Sequence, residues 1–217
     1  WTPTAHPLAV GASLEQAFAQ QLDGLPRDTR DALLIAAASD TGSSGEILRA
    51  LAQTGLSPAA LEPAEREGVI AFVGQRVEFR HPLVRSAAYH GADPVQRRAA
   101  HRALATAVGS GATARAAWHM AAATVGPDEA VAALLETSAT IALARNGYAP
   151  AASAFETAAL LSPDDPDQVR RMIGAGRALL LGGDGERAAA LLEGVLELAE
   201  DPTARADIQE LRGLAML

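Results

Sequence analysis

The 217-residue chain contains no cysteine. That excludes a disulfide framework, a thiolate metal site and a cysteine nucleophile. It contains no lysine either, since all 18 basic residues are arginine. Without lysine there is no Walker A motif, whose lysine reaches the β/γ-phosphates, and no lysine Schiff base. Aromatic residues make up only 4%. No apolar run approaches the ~20 residues that cross a bilayer, so the expected location is cytoplasmic, with no membrane partner. The opening Trp1-Thr-Pro-Thr4 shows neither an initiator Met nor a secretion signal. Leu211 to Leu217 stops inside an apolar-periodic pattern without a cap. The expectation is a piece excised from a longer protein.

What the chain does have is alanine, roughly a quarter of all residues, within a hydrophobic fraction of 49%. That fraction is too apolar for intrinsic disorder. Alanine and leucine with few rings point to closely packed helices. Together with the arginine-only basicity, this composition suggests a GC-rich bacterial genome. Net charge is −8 and unevenly spread. Residues 1–110 carry 10 Arg against 11 acids, and 111–217 carry 8 Arg against 15 acids. The stretch 76–102 runs the other way, at about +4, with Arg76, Arg80, Arg85, Arg97, Arg98 and Arg102 against Glu78 and Asp93. A local basic patch on an acidic protein is a candidate anion site, or a solvated face with its own salt bridges.

Turn and cap signals divide the chain. Ser13 to Leu22 reads as a lead-in helix with Ser13 as N-cap. Pro26, Asp28 and Asp31 open a second helix whose apolar face holds Leu33, Leu34 and Ala37. A third starts at Ser44 or Gly45, runs through Ile47, Leu48 and Leu51, and ends at Gly55. Ser57-Pro58 opens a fourth that closes at Gly68. The period then changes to 2. Val69–Val73 and Arg76–Arg80 flank Gly74-Gln75 and read as a two-stranded hairpin. Pro82 starts a helix to about Tyr89, and Asp93-Pro94 starts another to Val108. Three helices followed by a hairpin is the winged-helix order.

Beyond Gly109 every segment reads as helix. Gly147 to Ala152 and Gly183 to Ala188 share a pattern at an offset of 36, close to the ~34-residue tetratricopeptide period. The expected fold is mainly α. Residues 1–24 form a linker and lead-in helix, 25–108 a winged-helix domain with one β-hairpin, and 109–217 a tetratricopeptide-like helical array. An ordinary helical bundle is the alternative for the last part.

No histidine pair has the i, i+4 spacing of a helical metal site, and neither H-E-x-x-H nor G-x-S-x-G occurs. Asp164, Asp165 and Asp167 surround prolines in a turn and read as helix caps. Gly174-Ala-Gly176 and Gly182-Gly183-Asp-Gly185 follow no strand, so neither reads as a dinucleotide loop. No catalytic or metal-ligating residue is assigned, and no enzymatic activity is expected of this chain. The informative stretch is Val77 to Tyr89. A strand delivers His81 to a helix N-terminus, where unpaired N–H groups and the dipole attract phosphate. Arg80 and Arg85 add charge. The competing reading is that His81 caps or packs against its own helix.

Phe79-Arg-His-Pro-Leu-Val-Arg-Ser-Ala-Ala-Tyr89 and Pro94-Val-Gln-Arg-Arg-Ala-Ala-His-Arg-Ala-Leu104 resemble the winged-helix segment of large ATP-binding LuxR-type transcriptional regulators. Leu61-Glu-Pro-Ala-Glu-Arg-Glu-Gly68 and Trp118-His-Met-Ala121 fit as well, and the resemblance runs from about Leu14 to Leu217. Those regulators belong to the STAND class of signalling ATPases. Their order is an ATPase core, a winged helix, helical repeats and a C-terminal DNA-binding helix-turn-helix. In that class the histidine of a Met-His-Asp motif contacts the ADP phosphate and holds the resting state. The resemblance carries that role to His81, with Arg80 in the Met position and Pro82 in the Asp position. It implies no cofactor within this chain, and ADP or ATP with Mg²⁺ in an upstream core.

The partners so implied are that core, an inducer or protein ligand on the repeats, and DNA only through a C-terminal domain beyond Leu217. Two other readings compete. One is a helical-repeat scaffold for protein interaction. The other is a winged helix that itself binds DNA, although its candidate recognition helix, Ser57 to Glu67, sets Glu62, Glu65 and Glu67 against Arg66 alone.

Overall fold

The computed structural model describes residues 18–109 and 113–215. It is mainly helical, with one small antiparallel sheet. It divides into two compact units, Trp1–Gly109 and Ser110–Leu217.

The first unit begins with helix α1, described at 18–23; its expected N-cap, Ser13, lies outside the described residues. Helix α2 (Arg27–Ala38) is the hub of the core. Every residue from Ala32 to Ala38 is buried, so it is surrounded and not merely amphipathic. Helix α3 (Ser44–Gln53) turns Ile47, Ala50 and Leu51 inward. The expected fourth helix starts at Pro58 and runs without a gap to Arg66: Pro58–Leu61 is a 3-10 turn capped by Ser57, and Glu62–Arg66 continues it as α-helix (α4). Pro63 lies in the first turn of α4, where its missing N–H is tolerated.

Strands β1 (Ile70–Val73) and β2 (Arg76–Phe79) pair antiparallel, with Phe72 opposite Val77. Gly74 takes φ +59° as the first of two turn residues, the II′ hairpin signature. A third segment joins this ribbon. Ser43 bridges Arg76 antiparallel, and Gly42 accepts from the Val77 N–H at 2.8 Å. Gly42 has φ +66°, and a Cβ there would lie 2.9 Å from the Val77 carbonyl oxygen. Only glycine fits both conditions.

Helices α5 (Pro82–His90) and α6 (Pro94–Ala107) complete the unit. Asp93 and Gln96 form a reciprocal capping box at the start of α6. The C-terminal carbonyls are closed by arginine, which complements the dipole. Arg49 Nε donates to the Ala107 carbonyl at 3.0 Å.

The second unit stacks six helices in chain order: α7 (Thr113–Ala123), α8 (Glu129–Ala144), α9 (Tyr148–Leu160), α10 (Asp165–Leu181), α11 (Gly185–Leu198) and α12 (Pro202–Ala215). Each packs against the next. Its apolar residues fall into several small clusters along the seams, not one central core. Fully buried Ala151, Ala152, Ala158, Ala175, Ala178 and Ala188 let neighbouring helices approach closely. The turns after α8 and α10 close alike, by a helix-end bond that also occurs at Leu56 and Val69. Gly147 N–H donates to the Ala142 carbonyl at 2.8 Å, and Asp184 N–H to the Leu179 carbonyl at 2.9 Å. Asn146 (φ 58°) and Gly183 (φ +79°) occupy the left-handed position of the two turns. These pairs are 37 apart, one more than the offset that matches glycine to glycine. Asparagine supplies the left-handed residue in the first turn, because its short polar side chain tolerates that region.

Candidate functional site

The hairpin and α5 together place His81. Arg80 extends the ribbon by donating its N–H to the Val69 carbonyl at 3.0 Å. His81 follows with extended backbone (φ −146°, ψ 141°), and Pro82 sets the first turn of α5. The imidazole turns back on its own helix. Its Nδ1 accepts from the Leu83 N–H at 3.1 Å. In the neutral ring this leaves Nε2 as the N–H donor. The ring is exposed and stacks on Phe18, centroids 5.7 Å apart.

The helix N-terminus itself has little left to offer an anion. Leu83 N–H is taken by His81, Val84 N–H bonds the His81 carbonyl at 3.0 Å, and Pro82 has none. A backbone phosphate cradle of the usual kind needs those donors free. An anion here would be met by side chains, through His81 Nε2–H and Arg80. Arg80 lies at the surface and donates weakly to Gln21 at 3.3 Å.

Arg85 is engaged elsewhere. Its Nε donates to the Ala37 carbonyl at 2.9 Å and its NH2 to the Ser39 carbonyl at 2.7 Å. It closes the C-terminus of α2 and thereby fixes the position of α5. Three side chains within six residues thus do different work. His81 caps α5, Arg85 ties α5 to α2, and Arg80 keeps a charge at the surface.

The rest of the basic stretch is only slightly neutralised. Arg76 lies 3.7 Å from Glu78. Arg97 covers the Tyr89 ring at 5.6 Å, and Tyr89 Oη lies 2.8 Å from His101 Nε2. Arg98 and Arg102 have no ion pair among the described residues. A cavity of about 350 Å³ lies in the same unit between α1, α2 and α5, floored by Leu22, Leu33 and Ala88 and rimmed by Arg27 and Arg30.

Two features of the second unit escape sequence reading. Arg171 is the largest fully buried side chain among the described residues. Its NH1 donates to Glu129 at 2.8 Å and to Ser162 Oγ at 2.6 Å, and its Nε to Glu136 at 3.0 Å. Arg170 next to it also bonds Glu136 and Asp167. The hydrogen bond from Arg171 holds the Glu129 carboxyl below its ordinary pKa, and that from Arg170 does the same for Glu136 and Asp167. The second feature is a groove of about 900 Å³ bordered by α8, α9, α10 and α12.

Among the described residues no group of three or more His, Asp or Glu side chains could hold a metal ion. No described helix is long and apolar enough to cross a membrane. No family model matches the chain, and no curated protein or solved structure does.

Proposed function

We propose that the chain is a regulatory segment of a nucleotide-switched bacterial transcriptional regulator. Residues 25–108 act as a winged helix that closes on an upstream ATPase core, and 109–217 as tetratricopeptide-like repeats that receive an inducer or partner. The observation that carries the reading is the order α2, Ser43 bridge, α3, 3-10 turn with α4, β1, β2. A short strand after the first helix, pairing with the last strand of the hairpin, is what a winged helix requires beyond the helix-turn-helix.

In this proposal His81 Nε2–H donates to the β-phosphate of ADP held by the core, and Arg80 adds charge. Arg85 acts through position, by anchoring α5 to α2. Exchange for ATP withdraws that differential contact, and a ligand shifts such an equilibrium only by its differential affinity for the two states. DNA recognition is assigned to a domain beyond Leu217. In the first unit α4 spans only five residues and carries Glu62 and Glu65 against Arg66, which phosphates repel.

The test is ADP release from the protein extended through its upstream core. We expect His81→Ala to speed release about tenfold, the worth of one charge-assisted hydrogen bond. His81→Asn, whose side chain can still cap α5, separates a lost phosphate contact from a lost cap. Unchanged release in both variants overturns the reading. The groove of the second unit favours the alternative, a protein-interaction scaffold in which the first unit is structural.

A further inference from the structure

We propose that the groove of the second unit takes an extended cationic peptide segment, with arginine or lysine alternating with apolar side chains. This deepens the reading of 109–217 as a ligand-binding array and rests on it. Six carboxylates and two guanidiniums line the groove. They are not equally available. Glu136 is already held by Arg170 and Arg171. Asp164 and Asp201 cap α10 and α12 through the Asp167 and Ala204 N–H groups. Asp165, Glu200 and Asp207 remain, exposed and without an ion pair or hydrogen bond among the described residues. Arg177 is the one lining cation in the same condition.

The two helix N-termini at Asp164 and Asp201 each supply about half a positive charge. They offset one of the four excess negative charges, so a field favouring a cation remains. Nucleic acid and anionic ligands are repelled by it.

The groove is not only charged. Gly174 has no side chain, which leaves the Phe155 ring to form the floor beside Ile173. Leu198 on the rim is 46% exposed. A ligand that carries both cationic and apolar side chains matches this mixed lining, and an extended chain presents the two kinds alternately on its two sides. The lining runs from Glu136 on α8 across α10 to Asp207 on α12. An extended hexapeptide, at about 3.3 Å per residue, is about 20 Å long and serves as the probe.

The test uses the whole 217-residue protein and a fluorescein-labelled hexapeptide alternating arginine and leucine, read by anisotropy. We expect saturable one-to-one binding that weakens with salt. The variant Asp165→Asn/Asp207→Asn should raise Kd about fivefold with only a small fall in Tm, since neither side chain is a cap or an ion-pair partner and Asp165 loses only its interaction with the dipole at the first turn of α10. No saturation, or an unchanged Kd in the variant, overturns the proposal. Equal competition by spermine overturns it in favour of a simple polycation. A glutamate–leucine hexapeptide should not bind. Were it to bind alone, the charge assignment would fall while the array would still bind peptides. Were neither peptide to bind, the ligand-binding reading of the array would fall with it.

Discussion

Arg171→Ala lowers the stability of the second unit by about 3 kcal/mol, the low end for breaking a buried ion pair. Arg171→Met costs distinctly less. The difference comes from which partner is buried. Arg171 is 1% exposed, while Glu129 and Glu136 are 44% and 24% exposed. When the arginine is removed, the carboxylates stay partly hydrated. What is lost is then mainly packing and the bond to Ser162, and methionine restores most of the volume. When the carboxylates are removed instead, a guanidinium that cannot deprotonate is left buried without its counterions. Glu129→Gln/Glu136→Gln therefore unfolds at a lower temperature than Arg171→Met. For a domain of this size 3 kcal/mol corresponds to more than about 10 °C in Tm. The reverse order of the two variants would overturn this account.

The same cluster makes stability depend on acid. Glu129 and Glu136 have folded-state pKa values lowered from the ordinary 4.5. A depressed carboxyl pKa means that the unfolded chain binds protons first. The stabilisation is present in full above pH 4.5 and is lost as pH falls below it toward the folded values. Arg171→Met removes the largest cause of the Glu129 shift, so its Tm falls less steeply over that range. Parallel profiles for the two proteins would place the acid sensitivity elsewhere.

Much of this architecture could be read from local chemistry. Pro26, Pro82 and Asp93-Pro94 mark helix starts, because a cap or a preset φ is a property of one or two residues. The hairpin declared itself by its change of period. What stayed hidden depends on distant partners. The Ser43–Arg76 bridge is a backbone contact with no side-chain signature. Arg170 and Arg171 look alike in sequence, yet one lies at the surface and the other is enclosed. Only the approach of Glu129, Glu136 and Ser162 from other helices separates them. The 3-10 opening of the fourth helix is hidden because Ser57-Pro58 signals a start without specifying its hydrogen-bond pattern. At the candidate site the sequence named His81, Arg80 and Arg85 together but could not say where each points. The phosphate cradle expected at α5 is largely spent on His81, and Arg85 reaches the α2 carbonyls.

Gly174 and Gly176 lie inside a helix, where glycine is unfavourable by about 1 kcal/mol relative to alanine. Their retention needs a packing reason, and the two reasons differ. A Cβ at Gly176 would lie 2.7 Å from Leu192 Cδ2 and 2.8 Å from its Cγ. Leu192 is fully buried against the second unit's apolar seam, so it cannot move aside cheaply. The three atoms nearest a Cβ at Gly174 all belong to the Phe155 ring, at 3.0 to 3.2 Å, and that ring borders the open groove. Gly176→Ala is therefore expected to cost about 1–2 kcal/mol net, overpacking exceeding the gain in helix propensity. Gly174→Ala is expected to be near neutral. Leu192→Ala alone opens a cavity and costs about 3–4 kcal/mol. In the double variant the new methyl at 176 occupies part of that cavity, so the two losses do not add. A coupling of about 1 kcal/mol or more in urea unfolding is the expected signature. Additive losses would mean that α10 and α11 adjust by moving apart, and that Gly176 does not set their separation.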